Sequence, residues 1–149
     1  MTIKNCLSLS IFKNTLIKLI RPTANPIYNL HVPKGLKFLT RLRVSFSHLR
    51  EHKFKHNFQD TLNPLCDCSL SIESTEHFFL SCSNFTQHRQ ILLNSLNNLD
   101  IDILDYSIKD LSNLLLFGSP NFNDTKNYQI LLSSTNYILS SKRFDENLL

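Results

Sequence analysis

Glycine is nearly missing from this chain, with 2 in 149 residues, alongside 5 prolines and no tryptophan. So few breakers leave little punctuation for the turns of a many-stranded protein, and the balance tips towards helices. The same shortage excludes a glycine-rich phosphate loop. Nor does the chain contain a Gly-x-Ser-x-Gly turn, a His-Glu-x-x-His pair or carboxylates placed for two-metal chemistry. Long apolar runs are lacking too. The stretch from Met1 to Arg21 is interrupted by Lys4, Lys13 and Lys18, so it reads as neither signal peptide nor membrane span. Internal repeats, heptads and low-complexity tracts are also missing. The expectation is a non-catalytic chain with no small-molecule substrate and no membrane partner.

What is present suits one compact core, because 149 residues at 42% hydrophobic are too few for two ordinary domains. Asn and Ser are abundant, yet Leu and Ile recur between them at helical intervals, which argues against disorder. Charge is divided unevenly. Residues 1–60 hold 11 Lys/Arg against Glu51 and Asp60, leaving +9, while residues 61–149 hold 5 against 10 acidic groups, leaving −5. A polyanion would be drawn to the first half, where clustered cations release counterions from phosphate; a solvated basic face is the plainer alternative.

Periodicity divides the chain at about residue 35. Leu9, Phe12, Leu16, Leu19 and Ile20 predict an amphipathic helix ending before Pro22, and the prolines between Arg21 and Gly35 predict a connector. Residues 36–149 form the expected helical domain. It starts with a basic helix from Leu36 to Phe58, broken near Ser45. His48, His52 and His56 recur every four residues there, which would stack three imidazoles on one face, for metal, for phosphate or simply solvated. Asn84 to Leu99 predicts a further helix. Ser107 caps another that ends at Gly118 and Pro120, and Asn123 or Asp124 caps the last, whose face carries Tyr128, Leu131, Leu132, Thr135, Ile138 and Leu139. Asp100, Asp102 and Asp105 read as a solvated loop.

One stretch carries chemistry. Cys66, Cys68, His77 and Cys82 are spaced Cys-x-Cys-x8-His-x4-Cys, three sulfurs and an imidazole that suit a tetrahedral structural zinc with no position open for water. Pro64 and Leu65 predict a tight turn ahead of the first pair, and Ser74 or Thr75 a cap for a short helix bearing His77. Cys66 and Cys68 lie too close to pair well as a disulfide, and nothing indicates secretion, so a reducing nuclear or cytoplasmic setting is expected. Cys6 stands apart as a free thiol. The alternative is that Cys66 and Cys82 are buried small apolar groups and His77 a satisfied core histidine. The expected fold class is mainly α, a small helical domain with a Cys3His zinc-stapled loop.

Three stretches carry a resemblance: Arg41-Leu-Arg-Val-Ser-Phe-Ser-His-Leu-Arg-Glu-His-Lys-Phe-Lys-His-Asn-Phe-Gln-Asp60, Asn63-Pro-Leu-Cys-Asp-Cys68 and Glu73-Ser-Thr-Glu-His-Phe-Phe-Leu-Ser-Cys82. They resemble the C-terminal zinc-binding region of non-LTR (LINE-type) retrotransposon reverse transcriptases. The likeness runs from about Arg21 to Phe144, taking in the late Leu-Leu-Leu-Phe-Gly and Tyr-Ile-Leu-x-x-x-Arg-Phe elements. It implies a knuckle-like zinc site on Cys66, Cys68, His77 and Cys82, although many relatives have two residues in the first gap. It also implies engagement of RNA or DNA, with other polyprotein domains as further partners; the polymerase aspartates of that family have no counterpart here. Phosphate contacts are expected from Lys34, Lys37, Arg41, Arg43, Arg50, Lys53 and Lys55. The other expectations are a zinc-stabilised protein-interaction domain and a non-functional retroelement relic.

Overall fold

The computed structural model describes residues 32–145, which are mainly helical and contain no strands. The predicted helix at Leu7 to Ile20, and Cys6, lie outside the described residues. Among the described residues five α-helices follow one another: α1 (Pro33–Arg43), α2 (Arg50–Lys55), α3 (Thr86–Asn97), α4 (Ile108–Phe117) and α5 (Asp124–Ser140). Between α2 and α3 lie a short turn region holding the cysteines, a π-turn over His77–Ser81 and a 3-10 turn over Ser83–Phe85. Among the described residues no helix is long and apolar enough to cross a membrane.

Helix ends follow local chemistry. Pro33 opens α1 at its first position, where a missing N–H costs nothing, so the expected connector stops short of Pro33 and Gly35. The predicted basic helix is indeed interrupted at Ser45, whose φ of 54° is left-handed. Ser107 caps α4 by accepting from the Asp110 N–H, and Asn123 caps α5 by accepting from Lys126. Gly118, at φ 71°, ends α4, and Asp102 caps the turn before it, so the acidic loop has a local structural use.

Helix α5 is the centre of the packing, lying against α1, α3 and α4. That explains why its buried set is wider than one stripe: Ile130, Ser134 and Tyr137 are buried beside the expected Leu131, Thr135 and Ile138. The Ser134 and Thr135 hydroxyls are satisfied within the helix by donating to Ile130 and Leu131 carbonyls. Leu39, Leu42 and Leu49 from the basic segment and Phe78 and Phe79 from the π-turn complete the core.

Gly35 is where α1 approaches α5 most closely. A Cβ there would lie 2.0 Å from Thr135 Cγ2, and Thr135 is stiff at χ1 and anchored to Leu131, so it cannot yield. Gly35→Ala should therefore destabilise by about 1–3 kcal/mol despite the roughly 1 kcal/mol better helix propensity of alanine. A lowered urea midpoint would register it; a raised one would show that the two helices separate easily.

The predicted histidine stripe does not form. His52 is buried, at 2% exposure, with Nδ1 accepting from the Ser47 N–H at 3.3 Å and Nε2 facing Thr75 Oγ1 at 3.5 Å. Burial lowers its pKa, so it is a neutral core group. His56 donates from Nε2 to the Ser45 carbonyl, and His48 is exposed. The helix ends at Lys55 and begins only at Arg50, too short to align three imidazoles.

Candidate metal centre

A miniature hairpin positions the first two ligands. The Cys66 N–H donates to the Ser71 carbonyl and the Glu73 N–H to Pro64, and Leu65 faces Ile72 in an antiparallel bridge. Ser69, at φ 61°, lets the chain reverse while its N–H returns to the Cys66 carbonyl. The second pair comes from the π-turn. Ser74 Oγ accepts from the His77 N–H and starts it, as the sequence predicts. The Cys82 N–H then donates to the His77 carbonyl five residues back. In a regular α-helix, residues five apart point about 140° away from each other. The widened turn brings both onto one side, which accounts for the x4 spacing.

The widened turn leaves carbonyls to satisfy. Tyr137 Oη donates to the Phe78 carbonyl from α5, and Arg89 donates to the Cys82 carbonyl from α3 at 2.8 Å. Two helices thus hold the ligand-bearing turn through its backbone.

All four ligand atoms converge within 4.8 Å of one another. Cys66 Sγ lies 3.6 Å from Cys82 Sγ, and Cys68 Sγ lies 3.2 Å from His77 Nε2. The other imidazole nitrogen, Nδ1, is 3.1 Å from Ser81 Oγ, a partner that fixes the ring's orientation. By its donor chemistry the set could hold a metal ion. Burial pushes the Cys66 thiol up to about 12 and raises Cys82, whereas the Leu70 amide at its sulfur draws Cys68 down to about 6. Three thiolates at this spacing coexist only around a cation. His88 is not part of the cluster.

Comparison with family models, characterised proteins and solved structures gives a plain result. None matches this chain.

A buried ion pair ties the centre to both ends of the domain. Glu73, at 2% exposure, accepts from Arg143 Nε and a terminal nitrogen at 2.6 and 2.7 Å, and from the Arg50 N–H at 2.7 Å. One carboxylate therefore caps α2 and captures the segment after α5, while Arg143 also donates to the His48 carbonyl at 3.1 Å. Sequence reading assigns neither residue this role. Both stand among other polar and charged residues, so nothing local marks them as buried partners.

The seven cations expected at phosphate separate into two groups. Lys34 and Lys37 are exposed on α1, and Arg41 is half-buried. Arg43 donates to the Leu116 carbonyl and lies over the Phe117 ring, Arg50 pairs with Asp67, Lys53 with Asp60 and Lys55 with Glu51. Arg50 and Lys53 also line a cleft of about 770 Å³ beside Lys142 and Arg143.

Proposed function

We propose that the chain is a non-catalytic nucleic-acid-binding module stapled by one structural zinc, of the kind found at the C-terminal end of non-LTR retrotransposon reverse transcriptases. The observation that carries the zinc assignment is the closed set of four ligands. Zinc–sulfur bonds of about 2.3 Å set sulfurs about 3.8 Å apart in a tetrahedron, and sulfur about 3.6 Å from a ligating nitrogen. The separations of 3.6 and 3.2 Å need only small shifts to reach those values. No position is left for water, so the ion contributes folding energy and no hydrolysis.

Nucleic acid is supported by charge. Residues 32–60 hold seven Lys/Arg against two acidic groups, and the ion pairs at Asp60 and Asp67 are exposed ones that phosphate can displace at little cost. About five phosphate contacts should weaken oligonucleotide binding by roughly 10²- to 10³-fold between about 50 and 200 mM salt, with little base discrimination. Near-constant affinity across that range would refute this part of the reading. The exposed Val44, Leu62 and Leu70 favour the second reading, a zinc-stabilised surface for a polymerase or endonuclease partner. Capture of such a partner by a protein that ignores oligonucleotides would establish it.

A further inference from the structure

Helices α1 and α2 end in the same way. After α1, the Ser45 N–H bonds the Leu42 carbonyl and the Phe46 N–H bonds Arg41; after α2, Asn57 bonds Phe54 and Phe58 bonds Lys53. Ser45 and Asn57 are both left-handed, at φ 54° and 56°. Each end is a Schellman motif whose final residue is a phenylalanine. In such motifs that apolar residue ordinarily folds back onto its own helix. Ile101 does so after α3, where Asp100 at φ 54° and the Ile101 bond to Leu96 repeat the pattern and leave it 3% exposed.

Phe46 and Phe58 behave differently. They stay 51% and 40% exposed, and meet each other at 6.0 Å between ring centroids. His56 joins them, edge-on to Phe46 at 4.9 Å. The rings are tilted by 59° and 69°, so none of the three is stacked flat on another. Backbone bonds hold both phenylalanines in position, and Lys53 Nζ lies over the Phe58 ring at 5.9 Å from its centroid, with Lys55 exposed on the same short helix. Aromatic faces kept in water cost hydrophobic free energy unless something covers them, and cations beside them select a polyanion with flat apolar groups.

We propose that Phe46, His56 and Phe58 form a stacking platform for unpaired bases, with Lys53 and Lys55 meeting the adjacent phosphates. This rests on the nucleic-acid reading above and narrows it to single strands, since duplex bases already cover one another's faces. Stacking is tolerant of sequence because every base presents a π-face.

The test is titration of a labelled oligouridylate, and of a duplex of equal length, with wild-type, Phe46→Leu, Phe58→Leu and Phe58→Trp proteins. Each leucine variant should bind the single strand about fivefold to a hundredfold more weakly while duplex affinity stays within about twofold. Phe58→Trp should retain binding, and its emission, the sole indole signal in a chain without tryptophan, should be quenched by the bound bases. Unchanged oligouridylate affinity in both leucine variants, or equal weakening of both probes, would overturn the platform while leaving the module a nucleic-acid binder. If the wild-type protein binds neither probe, the functional reading falls and the platform with it.

Discussion

Replacing Cys82 by serine is expected to unfold the domain. Cys82 is fully buried, and with His77 it brackets Phe78 and Phe79, both at 0% exposure. A serine there would lose the bond to the proposed zinc and place a hydroxyl among apolar groups. Zinc bound to a Cys/His set contributes an apparent 10–16 kcal/mol or so at neutral pH in small zinc peptides. Whole domains have a net stability of about 5–15 kcal/mol. Weakening a term of that size leaves too little to hold the helices. Circular dichroism should show the helical signal lost in Cys82→Ser, and lost from the wild-type protein on chelation with recovery when zinc is restored. A cooperative melt in the variant at the wild-type midpoint would reduce the four residues to ordinary core groups.

The second large effect belongs to Glu73 and Arg143. Breaking a buried ion pair costs about 3–5 kcal/mol because the surviving charge is stranded. The two partners are not equally buried: side-chain exposure is 2% for Glu73 and 23% for Arg143. Arg143→Met strands the deeper charge, so it should cost more than Glu73→Gln, which leaves a guanidinium with some access to water and a side chain still able to accept from the Arg50 N–H. The double substitution should recover part of the loss, since it removes both charges. Urea midpoints of the three variants measure this order. If Glu73→Gln proves the more damaging, the carboxylate's cap on α2 would outweigh the ion pair.

Much of this architecture is legible locally. Ser74, Ser107 and Asn123 act as caps because a short side chain can reach an N–H two or three residues ahead without help from elsewhere in the chain. The helix break at Ser45 and the stop at Gly118 are local in the same sense. The histidine stripe failed for a non-local reason. A spacing of four aligns three imidazoles only on a helix long enough to hold them, and α2 is shortened by the turn that places Leu49 in the core and seats Glu73 at the helix start. The widened buried face of α5 likewise comes from having neighbours on three sides, a number that periodicity within one helix does not encode.

The candidate metal centre shows the division most clearly. Residue type and spacing alone determined which four side chains could form it, because thiolates and imidazole are the donors a soft, closed site requires. Only the tertiary structure decided that they meet. The x4 gap reaches one side through a π-turn whose spare carbonyls are satisfied by Tyr137 from α5 and Arg89 from α3. Only the fold, too, spent Arg43 on the Leu116 carbonyl and Arg143 on Glu73, and set two helix-ending phenylalanines side by side in solvent. Composition counts charges and rings, whereas partners separated by about 70 residues are assigned by packing.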